Sequence, residues 1–440
     1  MFSKLKNLRG KKEGVLAWNT LMLYILTFSS TLLSLIVYQR EGNILQPAGI
    51  GLLGVATAIA GYVELFIGFG FLQSATEEVA RNRNDHDRLN VIMTSVTISK
   101  LFLSVISLLV LFVLCQVIPA WRERLGFYLL FFLFTVFNTL LPDYLYRGME
   151  KMTAITIRTV SIRVFSTVGI FVFVKKPEDI WIIPTLTAIG NFFALFICFH
   201  DAKKRLNVHF CRVTAADVLI RMKQSSIFFF SRFATSAYSF LNTLILDLVE
   251  PAKILRGGKM IENPVRGYYT SSDKLMNTGM TALMPISDSL YPYMVKNRDY
   301  KLVKKVLLIL EPIIIAFSVG MFIIAPDFMV FFFKGNEEFR PAGDVLRAML
   351  PAAVVILPSY LCGFPVLSPI GLAKHANYAT IFGSVIHIIN LAILYFTGNI
   401  NMVTLGAAMS LTQILILAYR LVVIWRHRDR LKENYHVDAS

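Results

Sequence analysis

The sequence predicts an all-α membrane protein, with about twelve transmembrane helices in two parallel six-helix lobes. Three observations carry this. Of the 440 residues, 55% are hydrophobic and only 16% are charged, with a mean hydropathy of +0.60; a soluble domain carries roughly 25% charged residues. Apolar windows of bilayer-spanning length recur along the whole chain, each near the roughly 20 residues a spanning helix needs. Short motifs reappear 216 residues apart in the same order.

The first helix follows from the N-terminal segment. MFSKLKNLRGKKEG is basic and precedes a long apolar run. At about 24 residues that run exceeds a signal-peptide h-region, and no small-x-small cleavage site follows, so a retained helix is expected. The windows then place spans over 15–38, 48–74, 90–117, 126–146, 153–174, 180–200, 225–249, 267–293, 303–333, 342–365, 375–397 and 402–425. Several contain Pro or Gly, which membrane helices tolerate because their neighbours satisfy the released backbone groups. The 35 Phe suit lipid-facing surfaces and interfacial belts.

Loop charge sets the orientation. Basic residues cluster in the N-terminal segment, around Arg81, Arg83 and Arg88, from Lys203 to Lys223, from Lys296 to Lys305, and in the tail with Arg426, Arg428 and Arg430. Roughly 26 lie on that side and roughly 11 in the alternate loops, so the positive-inside rule makes both termini cytoplasmic. An even helix number follows. The net charge of +16 is thereby assigned to topology and anionic lipid headgroups rather than to nucleic acid.

The halves resemble each other. Pro142-Asp143-Tyr144-Leu145 before Gly148 is answered by Pro358-Ser359-Tyr360-Leu361 before Gly363, and GLLGVATAI from Gly51 by GYYTSSDKL from Gly267. The polar run ARNRND from Ala80 is answered by VKNRD from Val295, and Lys151 with Thr156-Ile157 by Lys374 with Thr380-Ile381. Equivalents separated by six helices share one orientation, a parallel repeat about an axis along the membrane normal. The expected organisation is an N-terminal lobe over 1–202, a cytoplasmic linker over 203–224, a C-terminal lobe over 225–425 and a cytoplasmic tail over 426–440. Two lobes of this kind imply a cavity between them and alternating access by rocking. The longest connections, 201–224 and the outer stretch 250–266, are too short for a catalytic domain.

Ionisable residues inside apolar spans mark the candidate chemistry, because a charge near the bilayer centre costs about 2.5–3.5 kcal/mol on insertion scales. The basic candidates are Lys100, Arg158, Arg163, Arg232 and Lys274; Arg347 and Arg420 lie close enough to span ends to snorkel. Two readings fit the set. One is a cationic cavity for an anionic cargo such as a diphosphate, which Arg meets bidentately and Lys as a point charge. The other is ion pairing with carboxylates of neighbouring helices.

Glu64, Glu311 and His387 are candidates for ion coupling, since a buried carboxylate or imidazole can take up H⁺ or Na⁺. The competing roles are counter-ion and packing residue. Asp247 and Asp273 lie near the outer ends, where water can reach them. Asp85-His86-Asp87 reads as a solvated turn rather than a metal site. The four cysteines form no CxxC pair, so neither a metal nor a disulfide framework is supported. No nucleophile–base arrangement, P-loop or HExxH occurs, and no cofactor or catalysis is expected.

Three stretches resemble a known family. AGIGLLGVATAIAGYVELFIGFGFLQSATEEVARN in the second span, LYRGMEKMTAITIRTVSIRVFSTVGIFVFV from Leu145, and GYYTSSDKLMNTGMTALMPISDSLYPY from Gly267 are similar to segments of the Wzx-type polysaccharide flippases of the multidrug/oligosaccharidyl-lipid/polysaccharide (MOP) exporter superfamily. The resemblance runs along nearly the whole chain and implies a MATE-like fold in the bacterial inner membrane. It also implies a cargo of undecaprenyl-diphosphate-linked O-antigen or capsule repeat units, turned from the cytoplasmic to the outer leaflet. A polysaccharide polymerase and chain-length machinery are implied as partners. Arg163 and Lys274 lie in the matching motifs, whereas Lys100 and Arg232 rest on the charge argument. The chain departs from the pattern at Gly68, at Arg147 and in the longer outer stretch before Gly267. Two alternatives remain: a drug or metabolite exporter of the same superfamily, whose cavity should be acidic, and a membrane glycan polymerase or ligase, which needs a larger outer loop.

Overall fold

The computed structural model describes residues 12–256 and 259–431. The chain is a multi-pass helical membrane protein. Its first long helix, Lys12–Gly68, is broken at Gln46 (φ 59°, ψ 172°) just before Pro47; Pro lacks the N–H that would continue the ladder. We label the two parts α1 (12–45) and α2 (47–68). The others are α3 His86–Val117, α4 Leu125–Leu140, α5 Met152–Phe173, α6 Ile182–Arg205, α7 Ala215–Val249, α8 Val265–Asn297, α9 Tyr300–Phe332, α10 Ala342–Leu361, α11 Ala373–Phe396 and α12 Met402–Arg426. Among the described residues nine helical stretches have the length and apolarity to cross a membrane. The first of these, Leu33–Arg81, includes the last part of α1 and all of α2; α7 supplies only the shorter apolar segment Phe240–Val249, and α8 does not reach the required apolarity.

Local chemistry sets the ends. Asp85 caps α3 by accepting from Arg88 N at 2.9 Å, so Asp85-His86-Asp87 is a helix start. Thr214 and Asp217 form a reciprocal box at the start of α7: Asp217 accepts from Thr214 N at 2.9 Å and Asp217 N donates back to Thr214 Oγ1 at 3.3 Å. Asp299 caps α9, and Asn401 caps α12 by accepting from Val403 N and Thr404 N, each at 3.0 Å.

The structure differs from the sequence expectation in four places. The span expected over 48–74 stops at Gly68, because Phe69 and Gly70 take positive φ (39° and 77°) before a short helix Phe71–Arg81 resumes. Gly70 is required there, since a Cβ would sit 2.6 Å from Phe228 Cβ and 2.8 Å from Ser225 O. The fourth helix ends at Leu140, ahead of Pro142 and a short helix Asp143–Gly148. The seventh begins at Ala215, ten residues before the apolar run, because the capping box starts it. The outer stretch contains an antiparallel hairpin, β1 Lys253–Arg256 with β2 Lys259–Glu262, pairing Ile254 with Ile261 and Leu255 with Met260.

The chain divides into two compact units. Unit 1 comprises Met1–Leu45 and Ala56–Phe233; unit 2 comprises Gln46–Val55 and Ala234–Ser440. α2 and α7 therefore have residues in both. In unit 1 the core gathers Phe71, Val79, Leu89, Met93, Tyr144 and Leu145, from the short helix after α2, the start of α3 and the kink after α4. In unit 2 it gathers Leu290, Met294, Val303, Leu357, Leu361 and Val366, from the end of α8, the start of α9 and the kink after α10. Leu145 in one core and Leu361 in the other come from the two Pro-x-Tyr-Leu stretches of the sequence.

Candidate functional site

Lys100, Arg158, Arg163, Arg232 and Glu64 lie in unit 1, and Lys274, Glu311 and His387 in unit 2. The structure gathers them into small groups with distinct chemistry.

In unit 1 the kink after α4 organises two of the cations. Pro142 ends the helical ladder and leaves carbonyls without intrahelical donors. Lys100 Nζ, buried on α3, donates to Thr139 O at 2.6 Å and lies 5.1 Å from the centre of the Tyr144 ring. A cation there also meets the negative end of the α4 dipole. Arg158 on α5 grips Asp143 through both guanidinium arms, Nη1 to Oδ1 at 2.6 Å and Nη2 to Oδ2 at 3.0 Å. Asp143 is also within Coulombic range of Lys100. For these two residues the structure provides local partners of the kind the packing reading expects. Tyr146 extends the group, donating to Cys198 O and Asp201 Oδ2, both at 2.9 Å.

Arg163 is different. It lies five residues beyond Arg158 on the same helix, is exposed, and has no carboxylate partner among the described residues. Arg232 on α7 and Glu64 on α2 lie within Coulombic range of each other, with Glu64 exposed and Arg232 half-buried. A groove of about 570 Å³ between α5 and α6 is lined by Arg158, Ser161, Gly190, Asp201 and Arg205 beside Phe165 and Phe193.

In unit 2 Lys274 follows Asp273 on α8, and both are half-buried. One turn earlier Tyr269 accepts from Asn242 Nδ2 at 2.9 Å, and Asn242 Oδ1 stands 2.8 Å from His387 Nε2. Glu311, ahead of Pro312 on α9, has a buried Oε2 without a hydrogen-bond partner. Among the described residues no group of three His, Cys, Asp or Glu is placed to hold a metal.

Two expectations about span ends are corrected. Asp247 is not solvated: it is 0% exposed and paired at 2.6 Å with Arg266, itself 3% exposed. Arg420 does not snorkel. Nη1 donates to Ser359 O and Ser359 Oγ, and Nη2 to Ala376 O, holding the second Pro-x-Tyr-Leu motif at the end of α10. Arg347 donates to Phe322 O, Ile323 O and Asp344. The sequence reading also missed Asn242, Tyr269 and Thr412 as partners of His387. The available signal was their polarity within apolar helices, but spacing along one helix says nothing about partners on another.

The family model described as "Polysaccharide biosynthesis protein" matches residues 16–298, more than half of the chain. The chain belongs to the polysaccharide biosynthesis protein family. It is 23% identical over 412 residues to a Shigella dysenteriae protein named "Putative O-antigen transporter", covering 92% of this chain and 99% of that one. An Escherichia coli (strain K12) protein of the same name is 26% identical over 299 residues, 66% and 68% of the two chains. Among solved structures, the lipid II flippase MurJ in an inward closed conformation superposes with a TM-score of 0.68 at 14% identity, covering 93% of this chain and 89% of that one. An inward-facing multidrug resistance MATE family transporter of the MOP superfamily gives 0.64 at 15% identity, covering 92% and 96%. At these identities the superpositions show that this family member shares the fold of those two transporters. The relatives are named as transporters and a flippase rather than as enzymes.

Proposed function

We propose that this chain is a flippase for undecaprenyl-diphosphate-linked oligosaccharide repeat units. It carries them from the cytoplasmic to the outer leaflet of the bacterial inner membrane, for assembly of a cell-surface polysaccharide such as O-antigen. In this reading the lobes over 1–202 and 225–425 rock about a shared cavity, both termini are cytoplasmic, and an ion gradient drives the cycle. A polymerase and chain-length machinery take over the delivered unit. Family membership and the names of the full-length relatives support the class of cargo.

The observation that carries the cargo chemistry is Arg163. An arginine ten residues inside an apolar helix, exposed and without a carboxylate among the described residues, is suited to a diphosphate in a polar path. Lys274 and Arg232 join it as cargo-binding candidates. Lys100 and Arg158 act from behind as holders of the α4 kink. Glu64 belongs with Arg232 as a counter-charge, and Glu311 and His387 are the remaining coupling candidates.

Depletion followed by lipid analysis tests the reading. Completed lipid-linked units should accumulate on the cytoplasmic leaflet. Normal delivery to the outer leaflet without polymer would overturn it and favour a polymerase.

A further inference from the structure

One set of buried polar groups in unit 2 is joined end to end across four helices. His387 on α11 is 0% exposed, and both ring nitrogens are engaged. Nδ1 lies 2.7 Å from Thr412 Oγ1 on α12, and the ring is in hydrogen-bond contact with the Ala408 backbone. Thr412 Oγ1 already donates to the Ala408 carbonyl at 2.8 Å. While it does so it meets the ring only as an acceptor, and Nδ1 then carries a proton.

With Nδ1 fixed, the state of Nε2 is coupled to the amide of Asn242 on α7. A neutral ring needs the Asn242 NH₂ at Nε2, which turns Oδ1 towards the Tyr269 hydroxyl on α8 as an acceptor. A charged ring donates from Nε2 to Oδ1; the NH₂ then donates to the Tyr269 oxygen and releases the phenolic proton to another acceptor. The structure has Oδ1 at His387 and Nδ2 at Tyr269, the polarity in which Nε2 carries a proton, as it does in the charged ring and in the neutral Nε2–H tautomer. Asp273, one turn along α8, is electrostatically coupled to Tyr269, and Lys274 follows it.

We propose that His387 is the proton-binding site of the transport cycle. Its charge state is relayed through the Asn242 amide and the Tyr269 hydroxyl to the segment of α8 that carries Asp273 and Lys274. This rests on the flippase reading and names its coupling ion as H⁺ rather than Na⁺. A hard cation takes oxygen ligands, but here the oxygens of Thr412 and Asn242 are turned towards ring N–H groups. The charged groups on the packed helices are Asp273 and Lys274 on α8, the Asp247–Arg266 pair of α7 and α8, and Arg420 on α12, held by Ser359. A proton exchanged at Nε2 therefore changes hydrogen-bond polarity at the Tyr269 hydroxyl, which is electrostatically coupled to Asp273, the neighbour of the cargo-binding candidate Lys274, without moving a helix.

The test uses the full-length protein in liposomes, with undecaprenyl diphosphate bearing one fluorescent N-acetylglucosamine as probe. At one proton per cycle the wild type should accumulate the probe in one leaflet over the other about tenfold per unit of imposed pH gradient, the ratio that one pH unit of driving force can sustain. It should not respond to a Na⁺ gradient. His387→Gln, which can hydrogen-bond but not charge, should equilibrate the probe at equal pH and lose the gradient response. Tyr269→Phe should lose it too. A gradient response retained by His387→Gln, or a wild type driven by Na⁺, would overturn the proposal.

A wild type that does not flip the probe would count against the cargo reading, and histidine ¹⁵N NMR in lipid nanodiscs would then decide the site. A ring that takes up a proton between about pH 5 and 8, at a midpoint moved by Thr412→Val, supports it. A ring fixed in one state throughout overturns it.

Discussion

Arg158 holds Asp143 through two parallel hydrogen bonds, of 2.6 and 3.0 Å, across the kink that Pro142 puts after α4. The geometry is the bidentate fork of a guanidinium on a carboxylate. Both side chains are largely covered, 11% and 26% exposed. The pair ties α5 to the copy of the sequence repeat whose counterpart, Pro358-Ser359-Tyr360-Leu361, is held by Arg420.

Removing one member of that pair should be costly. Asp143→Ala leaves the Arg158 guanidinium covered and unpaired, a situation worth about 3 kcal/mol or more in buried pairs. Thermal unfolding of the detergent-solubilised protein should show the loss. Asp143→Leu combined with Arg158→Met should recover most of it. A single variant as stable as the wild type would show the pair to be energetically idle.

Arg163→Ala should separate function from stability. With no carboxylate among the described residues to strand, its melting temperature should match the wild type. Complementation of a depleted strain should fall at least about tenfold, the order of one charge-assisted phosphate contact. Normal complementation by both Arg163→Ala and Lys274→Ala would remove the cationic path.

The start of α8 should reject any side chain at Gly267. A Cβ there would collide with the backbone of Pro47, which cannot yield as a flexible side chain would. Gly267→Ala should destabilise by about 1–3 kcal/mol, the usual range for overpacking. Gly279→Ala, with nothing within 4 Å of the added carbon, should not, and protease susceptibility of the two variants would distinguish them.

The capping box at α7 should loosen in acid. Its hydrogen bonds from the Thr214 hydroxyl and backbone N–H hold the Asp217 carboxyl below its ordinary range. A carboxylate with a depressed folded value contributes fully above its unfolded value of about 3.9, and the contribution drains as pH falls through the folded one. Amide exchange at 215–218 should therefore accelerate below about pH 4, and Asp217→Ala should show the faster exchange already at neutral pH. Unchanged exchange in Asp217→Ala would refute the box.

The sequence by itself determined the solvent and the class of fold. Apolar windows, their lengths and the repeated motifs are one-dimensional records of what lipid demands of a backbone, so composition and spacing read them directly. The break at Pro142 escaped that reading, which carried the span through it to 146 although a missing N–H is a local fact. What each intramembrane charge does was decided only by tertiary structure. Lys100, Arg158 and Arg163 look alike as cations in apolar runs, yet one meets α4 carbonyls, one a carboxylate, and the third has no carboxylate among the described residues. His387 gained its meaning from Asn242, Tyr269 and Thr412, residues 25 to 145 positions away. A hydrogen bond depends on direction and on distances of about 3 Å, and the packing of different helices, not the order of residues along any one of them, sets both.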